Sequence, residues 1–218
     1  MGKSSKEIKY TIASNRSFLG ASISTPKELL KKFSKKKGCL IFFPFWSWII
    51  PESIVDNHTC IGFHSAPLPM GRGGSPIQNM IRLDNKSTEL CMFKITSDLD
   101  GGSVLARKAI DITGTLEGIL ERLKMAILDM IDVYNSGTIS KKSSRPSGVY
   151  KTADKFIRIV NNVIPECDNL SSIYDEIRMR DARNHPKACK FHGKFVIEFT
   201  DAKLEKDCVS ARVKFIQR

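Results

Sequence analysis

Closely spaced cysteine pairs are missing from this sequence. Its six cysteines stand at 39, 60, 91, 167, 189 and 208, never at the short spacing that zinc knuckles use. Most are flanked by apolar residues, as in Thr59-Cys60-Ile61 and Leu90-Cys91-Met92. They are expected to be small buried hydrophobes in a reducing cytoplasm, with no metal and no disulfide framework. Long apolar runs are missing too. The richest window, Cys39–Ile50, is interrupted by Pro44 and Ser47 and falls short of the roughly 18 residues of a membrane span, so no membrane partner is expected. The first residues, Met1–Glu7, are polar and lack the apolar core of a secretory signal, and Lys6 stands where an N-myristoylation pattern needs Ser or Thr. A cytoplasmic protein is the expectation. Aromatic residues are few, and their densest group, at 42–48, stands away from the basic runs. The interleaving of stacking rings with Lys and Arg that suits single-stranded nucleic acid is therefore not expected.

Acidic residues are in deficit. Against 35 Lys and Arg stand 23 Asp and Glu, a net charge of +12. The dense clusters are Lys31–Lys37 and Lys141–Arg145. They suit solvated helix ends and loops, or an attraction for phosphates on a nucleotide or a nucleic acid, and charge alone leaves both open. With 218 residues, 41% hydrophobic and 27% charged, wholesale disorder is excluded. The length suits one domain with a small appendix. No internal repeat is visible.

The pattern predicts an α/β fold. Ile8–Ala13 reads as a first strand. Thr25-Pro26-Lys27-Glu28 is a helix start, with Thr25 as N-cap, Pro26 in the first turn and Glu28 closing a capping box; Leu29, Leu30 and Phe33 give that helix its apolar face. Gly38 ends it. Cys39–Phe43 is a continuous apolar run of buried-strand type. Cys60–Phe63 is a further strand leading into His64, and Ser75-Pro76-Ile77-Gln78 repeats the helix-start chemistry. Glu89–Ile95 and Val104–Ile110 read as strands. From Leu116 to Asn135 apolar residues recur every three or four positions, which predicts a long amphipathic helix. This order suggests a mainly parallel sheet. Gly137–Gly148 is polar and reads as a loop. Ser172–Arg180 reads as a helix, and Ala188–Phe191, Lys194–Phe199 and Val209–Ile216 as antiparallel strands with a turn at His192-Gly193. The expected units are 1–137 and 138–218.

The chemistry is expected between Cys60 and Asn79, CIGFHSAPLPMGRGGSPIQN. His64 closes a short apolar strand, and open α/β sheets place their sites at the carboxyl ends of strands. Taken alone, a His there is more often structural. Gly71–Gly74 lacks the spacing of a dinucleotide loop and the Lys-Ser/Thr of a P-loop.

These residues resemble a known family. HSAPLPMGRGGSPIQN is similar to the signature of the 10-formyltetrahydrofolate-dependent formyltransferases. Downstream, ITSDLDGGSVLARKAIDITGTLEGILERL is similar to the family's second block, whose turn carries an essential Asp; the matching residue is Asp100, at the family's usual interval from the His. FFPFWSWIIPESI at 42–54 resembles the strand and turn that precede the His. Arg145-Pro146 and Ile173–Ala188 are similar to the post-catalytic linker and helix of sugar N-formyltransferases, and the pseudaminic-acid-pathway branch is the nearest in look.

The resemblance implies a trimmed Rossmann-like formyltransferase domain, 1–137, followed over 138–218 by a linker, helices and an antiparallel β-hairpin extension. It implies 10-formyltetrahydrofolate as co-substrate, no metal, and His64 and Asp100 as catalytic residues. Trp46, Trp48, Ile49, Ile50 and Asp98 are the candidates for the folate side, although the first four also suit ordinary core. Arg72, Gly73, Gly74, Asn79 and Arg178 are the candidates for the acceptor side, Arg178 through bidentate contacts to a pyrophosphate. His58, His185 and His192 are expected to be structural or surface residues. One departure stands out: the family usually carries Asn two residues before the His, where this sequence has Gly62. The expected acceptor is the amine of a nucleotide-linked amino sugar, in a homodimer without a nucleic-acid partner. The alternatives are formylation of aminoacyl-tRNA, which suits the +12 charge but for which the residues after about 150 look too few, and a folate-binding module without catalysis.

Overall fold

The structure, a computed structural model, describes residues 9–16, 18–138, 150–151 and 153–218. Its elements follow in the order β1 (Tyr10–Ala13), β2 (Ala21–Ile23), α1 (Pro26–Phe33), β3 (Leu40–Phe43), α2 (Glu52–Asn57), β4 (Thr59–His64), β5 (Arg72–Gly73), α3 (Pro76–Arg82), β6 (Ser87–Lys94), β7 (Val104–Asp111), α4 (Leu116–Asn135), β8 (Lys155–Phe156), α5 (Leu170–Arg178), β9 (Ala188–His192), β10 (Phe195–Leu204) and β11 (Val209–Gln217).

A six-stranded sheet in the order β2-β1-β3-β4-β6-β7 organises the first half. Its first four strands are parallel, while β6 and β7 join antiparallel. The α/β class is observed, with a parallel core and an antiparallel edge.

Helices cover both faces of this sheet, which is why β3 reads as an unbroken apolar run. Alternate residues take opposite sides: Phe42 and Ile61 pack with Ile119, Leu123 and Ile127 of α4, and Ile41, Phe43 and Cys60 pack with Leu29, Phe33 and Ile54 of α1 and α2. The capping box of α1 forms as the sequence predicts. Glu28 N–H donates to Thr25 Oγ1, and the Glu28 carboxylate accepts from Ser24 and Thr25 N–H, bonds that hold its carboxyl below the ordinary range. The long helix α4 spans the expected residues, capped by Thr115.

Several elements differ from expectation. β2, α2, β5 and β8 were not predicted; each is six residues or shorter, too short for a periodic signal. Ser75 does not cap α3. Its backbone is left-handed and its side chain makes no cap bond; instead Ser75 Oγ accepts from Ile159 N–H at 3.0 Å. Gln78 reaches Met179 O rather than closing a box. The three antiparallel strands expected at the C-terminus do form, as one sheet in the order β11-β10-β9. It packs on α5 through Ile164, Ile177, Ala188 and Phe199. The Lys141–Arg145 cluster and Arg145-Pro146 lie outside the described residues. No helix among those described is long and apolar enough to cross a membrane.

Candidate active site

β4 delivers the imidazole. Its apolar residues fill the sheet, and His64 is its last residue, with only 6% of its surface exposed. The chain then loops through Ser65–Met70 and returns, so that His64 Nε2 lies 2.7 Å from Gly71 O. A carbonyl only accepts, so Nε2 carries the proton. In the neutral ring Nδ1 then holds a lone pair, and it faces Asp100 Oδ2 at 3.7 Å.

Asp100 sits in the turn between β6 and β7. Its backbone is left-handed, at φ 49°, a region that Asp enters more readily than most residues. Gly73 N–H donates to its Oδ2 at 3.0 Å, which fixes the carboxylate against the imidazole. Gly73 has φ +111°, and a Cβ there would lie 2.4 Å from Phe156 O, so only glycine suits this position. The close neighbour is β8, which pairs with β5 in the register Arg72↔Lys155, Gly73↔Phe156. A strap from the second half of the chain therefore shapes the loop that holds Asp100. Sequence reasoning missed this strap, because a two-residue pairing leaves no pattern.

The Gly62 departure has a physical counterpart. Gly62 pairs with Phe93 on β6, and a Cβ at position 62 would lie 2.8 Å from the Phe93 ring. The aromatic side chain occupies the space into which residue 62 would project.

The remaining candidates divide. Trp46 packs edge-on against Phe43, and its buried Nε1 has no partner among the described residues. Ile50 is half-buried beside it, while Trp48 and Ile49 are 55% and 89% exposed. This turn follows β3, which lies next to β4. The turn thus joins a buried indole donor without a partner among the described residues to two exposed apolar side chains. Asp98 is exposed; its carbonyl accepts from Gly101 N–H and closes the turn that carries Asp100. Arg72 is half-buried with its Nε unpartnered among the described residues, close to Gly101. Gly74 lies against Arg158 of the strap.

Two acceptor-side expectations need correction. Asn79 is committed internally: its Nδ2 donates to Gly74 O, Ser75 O and Ile157 O. Arg178 is 3% exposed and is bound to Asp175 Oδ1, Ile112 O and Gly114 O, with Tyr174 beneath its guanidinium. It fastens α5 to the turn before α4 and offers no fork to a phosphate. His58 is structural, its Nδ1 accepting from Cys39 N–H. No cluster of three metal-ligating side chains occurs among the described residues. Two grooves, one between β7 and α4 and one near β2, contain none of these residues.

Residues 160–216 match the family model described as "Methionyl-tRNA formyltransferase, C-terminal domain". The chain is 29% identical over 118 residues to methionyl-tRNA formyltransferase of Roseobacter denitrificans, covering 51% of this chain and 39% of that protein. It spans about two fifths of the length of the curated relatives it matches. Among solved structures, methionyl-tRNA formyltransferase from Clostridium thermocellum is 29% identical, with a TM-score of 0.76 covering 96% of this chain and 99% of that one. A sugar N-formyltransferase from Shewanella sp. is 19% identical, with a TM-score of 0.59 over 83% of this chain and 75% of that one, and shares the fold alone. These findings overturn the expectation of a nucleotide-linked amino sugar as acceptor, and with it the exclusion of nucleic acid. The C-terminal residues that looked too few are themselves the part the family model matches.

Proposed function

From its membership of the formyltransferase family, we propose that this chain carries the catalytic machinery for moving the formyl group of 10-formyltetrahydrofolate to the amine of an aminoacyl-tRNA, methionyl-tRNA first among them. The observation that carries the reading is the likeness to the Clostridium thermocellum enzyme over nearly the whole of both chains, joined to the C-terminal match. The +12 charge supports it, since each phosphate neutralised by Lys or Arg releases counter-ions and favours binding.

His64 and Asp100 do the chemistry in this reading. The acceptor amine attacks the formyl carbon and must lose a proton. His64 Nδ1 is the nitrogen free to take it, because Nε2 is bound to Gly71 O. Asp100, held by Gly73 N–H, faces Nδ1 and stabilises the imidazolium that forms. The same Nδ1–H then returns the proton to the departing folate nitrogen as its bond to the formyl carbon breaks. With Phe93 filling the space beside Gly62, the developing negative charge on the formyl oxygen is held by the imidazolium and by backbone N–H or water rather than by a side chain at 62. Trp46 and the Trp48–Ile50 turn take the folate side, and Arg72 with Gly73–Gly74 the acceptor side.

The test is direct. Purified protein is given 10-formyltetrahydrofolate and, in turn, methionyl-tRNA and a nucleotide-linked amino sugar. Formyl-methionyl-tRNA is the expected product. Transfer to the sugar alone, or to neither acceptor, would overturn the proposal.

A further inference from the structure

Arg107 and Glu89 were not expected to matter, yet they place a charged pair inside the sheet beside the site. Glu89 is fully buried, and the Arg107 side chain is 7% exposed. Both lie on the sheet face that His64 shares, because His64 pairs with Cys91 on β6 and Cys91 pairs with Arg107 on β7. A buried ion pair is poor evidence of stabilisation, since desolvation offsets the attraction. What this pair does is geometric. Glu89 Oε2 accepts from Arg107 Nη1 at 2.8 Å, and Arg107 Nη2 donates to Leu68 O at 2.5 Å. Leu68 belongs to the loop between His64 and Gly71.

We propose that Arg107 is a positioning residue for His64, acting through the loop Ser65–Gly71; its catalytic consequence rests on the function proposed above.

Three carbonyls of this short loop accept from side chains of β6 and β7. Thr88 Oγ1 donates to Ser65 O at 3.2 Å, Cys91 Sγ to Ala66 O at 3.2 Å, and Arg107 to Leu68 O. Arg107 Nη1 also touches Cys91 Sγ at 3.0 Å, so the guanidinium supports two of the three contacts. Leu68 packs on Cys91, Phe93 and Val104 beneath it. The loop ends at the carbonyl that fixes the imidazole's proton on Nε2. Placement of that carbonyl decides whether the proton stays on Nε2 and leaves the Nδ1 lone pair toward Asp100. Gly71 is also tied by its N–H to Ala153 O, so losing Arg107 lets the loop and its Gly71 carbonyl shift while the chain stays attached there.

Two variants test this. Glu89→Gln with Arg107→Met removes both charges together and leaves no orphaned ion. Arg107→Lys keeps a counter-ion for Glu89 but cannot hold Glu89 and Leu68 O with one planar fork. The first readout is the tautomer of His64, from imidazole ¹⁵N shifts, measured without substrates. The wild type is expected to show a single Nε2–H tautomer and each variant a mixture. The second readout is kinetic: kcat is expected to fall on the order of 10- to 100-fold, as for an ångström-scale misplacement, while the KM of each substrate stays within about threefold. A mixed tautomer in the wild type, or wild-type tautomer and kcat in both variants, would overturn the proposal. A wild-type chain that forms no formyl-methionyl-tRNA would sink the functional reading, and the tautomer measurement would still decide the role of Arg107.

Discussion

The carboxylate of Asp100 faces the imidazole of His64 at 3.7 Å, and the same oxygen accepts the Gly73 N–H at 3.0 Å. With Nε2 bound to Gly71 O, the ring has one nitrogen available and one anion beside it. In the proposed reaction the two residues act as a unit, and removing either is expected to disable proton transfer.

Asp100→Asn tests that unit cleanly. Asn tolerates the left-handed backbone that Asp100 adopts, so the turn should survive. Its amide keeps an oxygen for Gly73 N–H but loses the negative charge that stabilises the imidazolium. Formyl transfer is expected to fall by about 100-fold or more, with an unchanged unfolding midpoint. Near-wild-type kcat at saturating donor would remove Asp100 from the mechanism.

That the two residues meet was legible in the sequence because they sit in two blocks that resemble one family, His64 at the end of β4 and Asp100 in the turn after β6. The supporting residues were less so. Glu89 stands beside the apolar run Leu90–Phe93 of β6, a visible signal that a buried charge must find a partner, but Arg107 is one of several charged residues on β7 and their meeting depends on the register of the two strands. Arg178 misled because its exposed-residue chemistry suggested a phosphate, whereas the fold buries it against carbonyls of a turn some 65 residues earlier in the chain. Asn79 misled in the same way. The acceptor was misread for a different reason: length was weighed against a larger C-terminal domain, while the three-stranded sheet and α5 form an extension of their own.

Arg178 should behave as a structural residue. Arg178→Met would leave Asp175 without its counter-ion and two carbonyls without donors. Breaking a buried pair on one side costs about 3–5 kcal/mol, which should appear as a lower urea midpoint at constant slope. Where the variant remains folded, the acceptor KM should be unchanged. A raised KM at wild-type stability would restore Arg178 to the acceptor site.

Thiol reactivity should divide the cysteines by burial. Burial pushes the Cys60 thiol up to about 12 and Cys91 up to about 11. At pH 8 a thiol with the lower of these values is roughly one part in a thousand thiolate, and the thiolate is the nucleophile. Iodoacetamide under native conditions should therefore modify exposed Cys208 first and leave Cys60 and Cys91 unlabelled. Raising the pH toward 11 increases the reactive fraction at Cys91 before Cys60, provided the fold holds. Rapid labelling of Cys91 at pH 8, read by peptide mass mapping, would mean that the sheet beneath His64 opens.

The salt dependence of acceptor binding should reveal a nucleic-acid partner and locate part of its footprint. On β11, Arg212, Lys214 and Ile216 alternate with Val213 and Phe215, so both cations share one face of the C-terminal sheet. Lys214 pairs with Glu198 across the strands, and Arg212 is held near Asp201 in an exposed ion pair, a contact worth little in water. Arg218, at the strand's end, lies 3.9 Å over the exposed Phe191 ring. This face combines cations with an aromatic platform, the chemistry that tracks a phosphate backbone. Affinity for methionyl-tRNA is expected to drop by about 1,000-fold between 50 and 200 mM salt. Lys214→Gln and Arg218→Gln should each flatten the slope of log K against log salt by roughly one, while kcat at saturating acceptor stays unchanged. A slope that neither variant alters would move the tRNA contacts off this sheet. A salt-independent KM would argue that the acceptor is no nucleic acid at all.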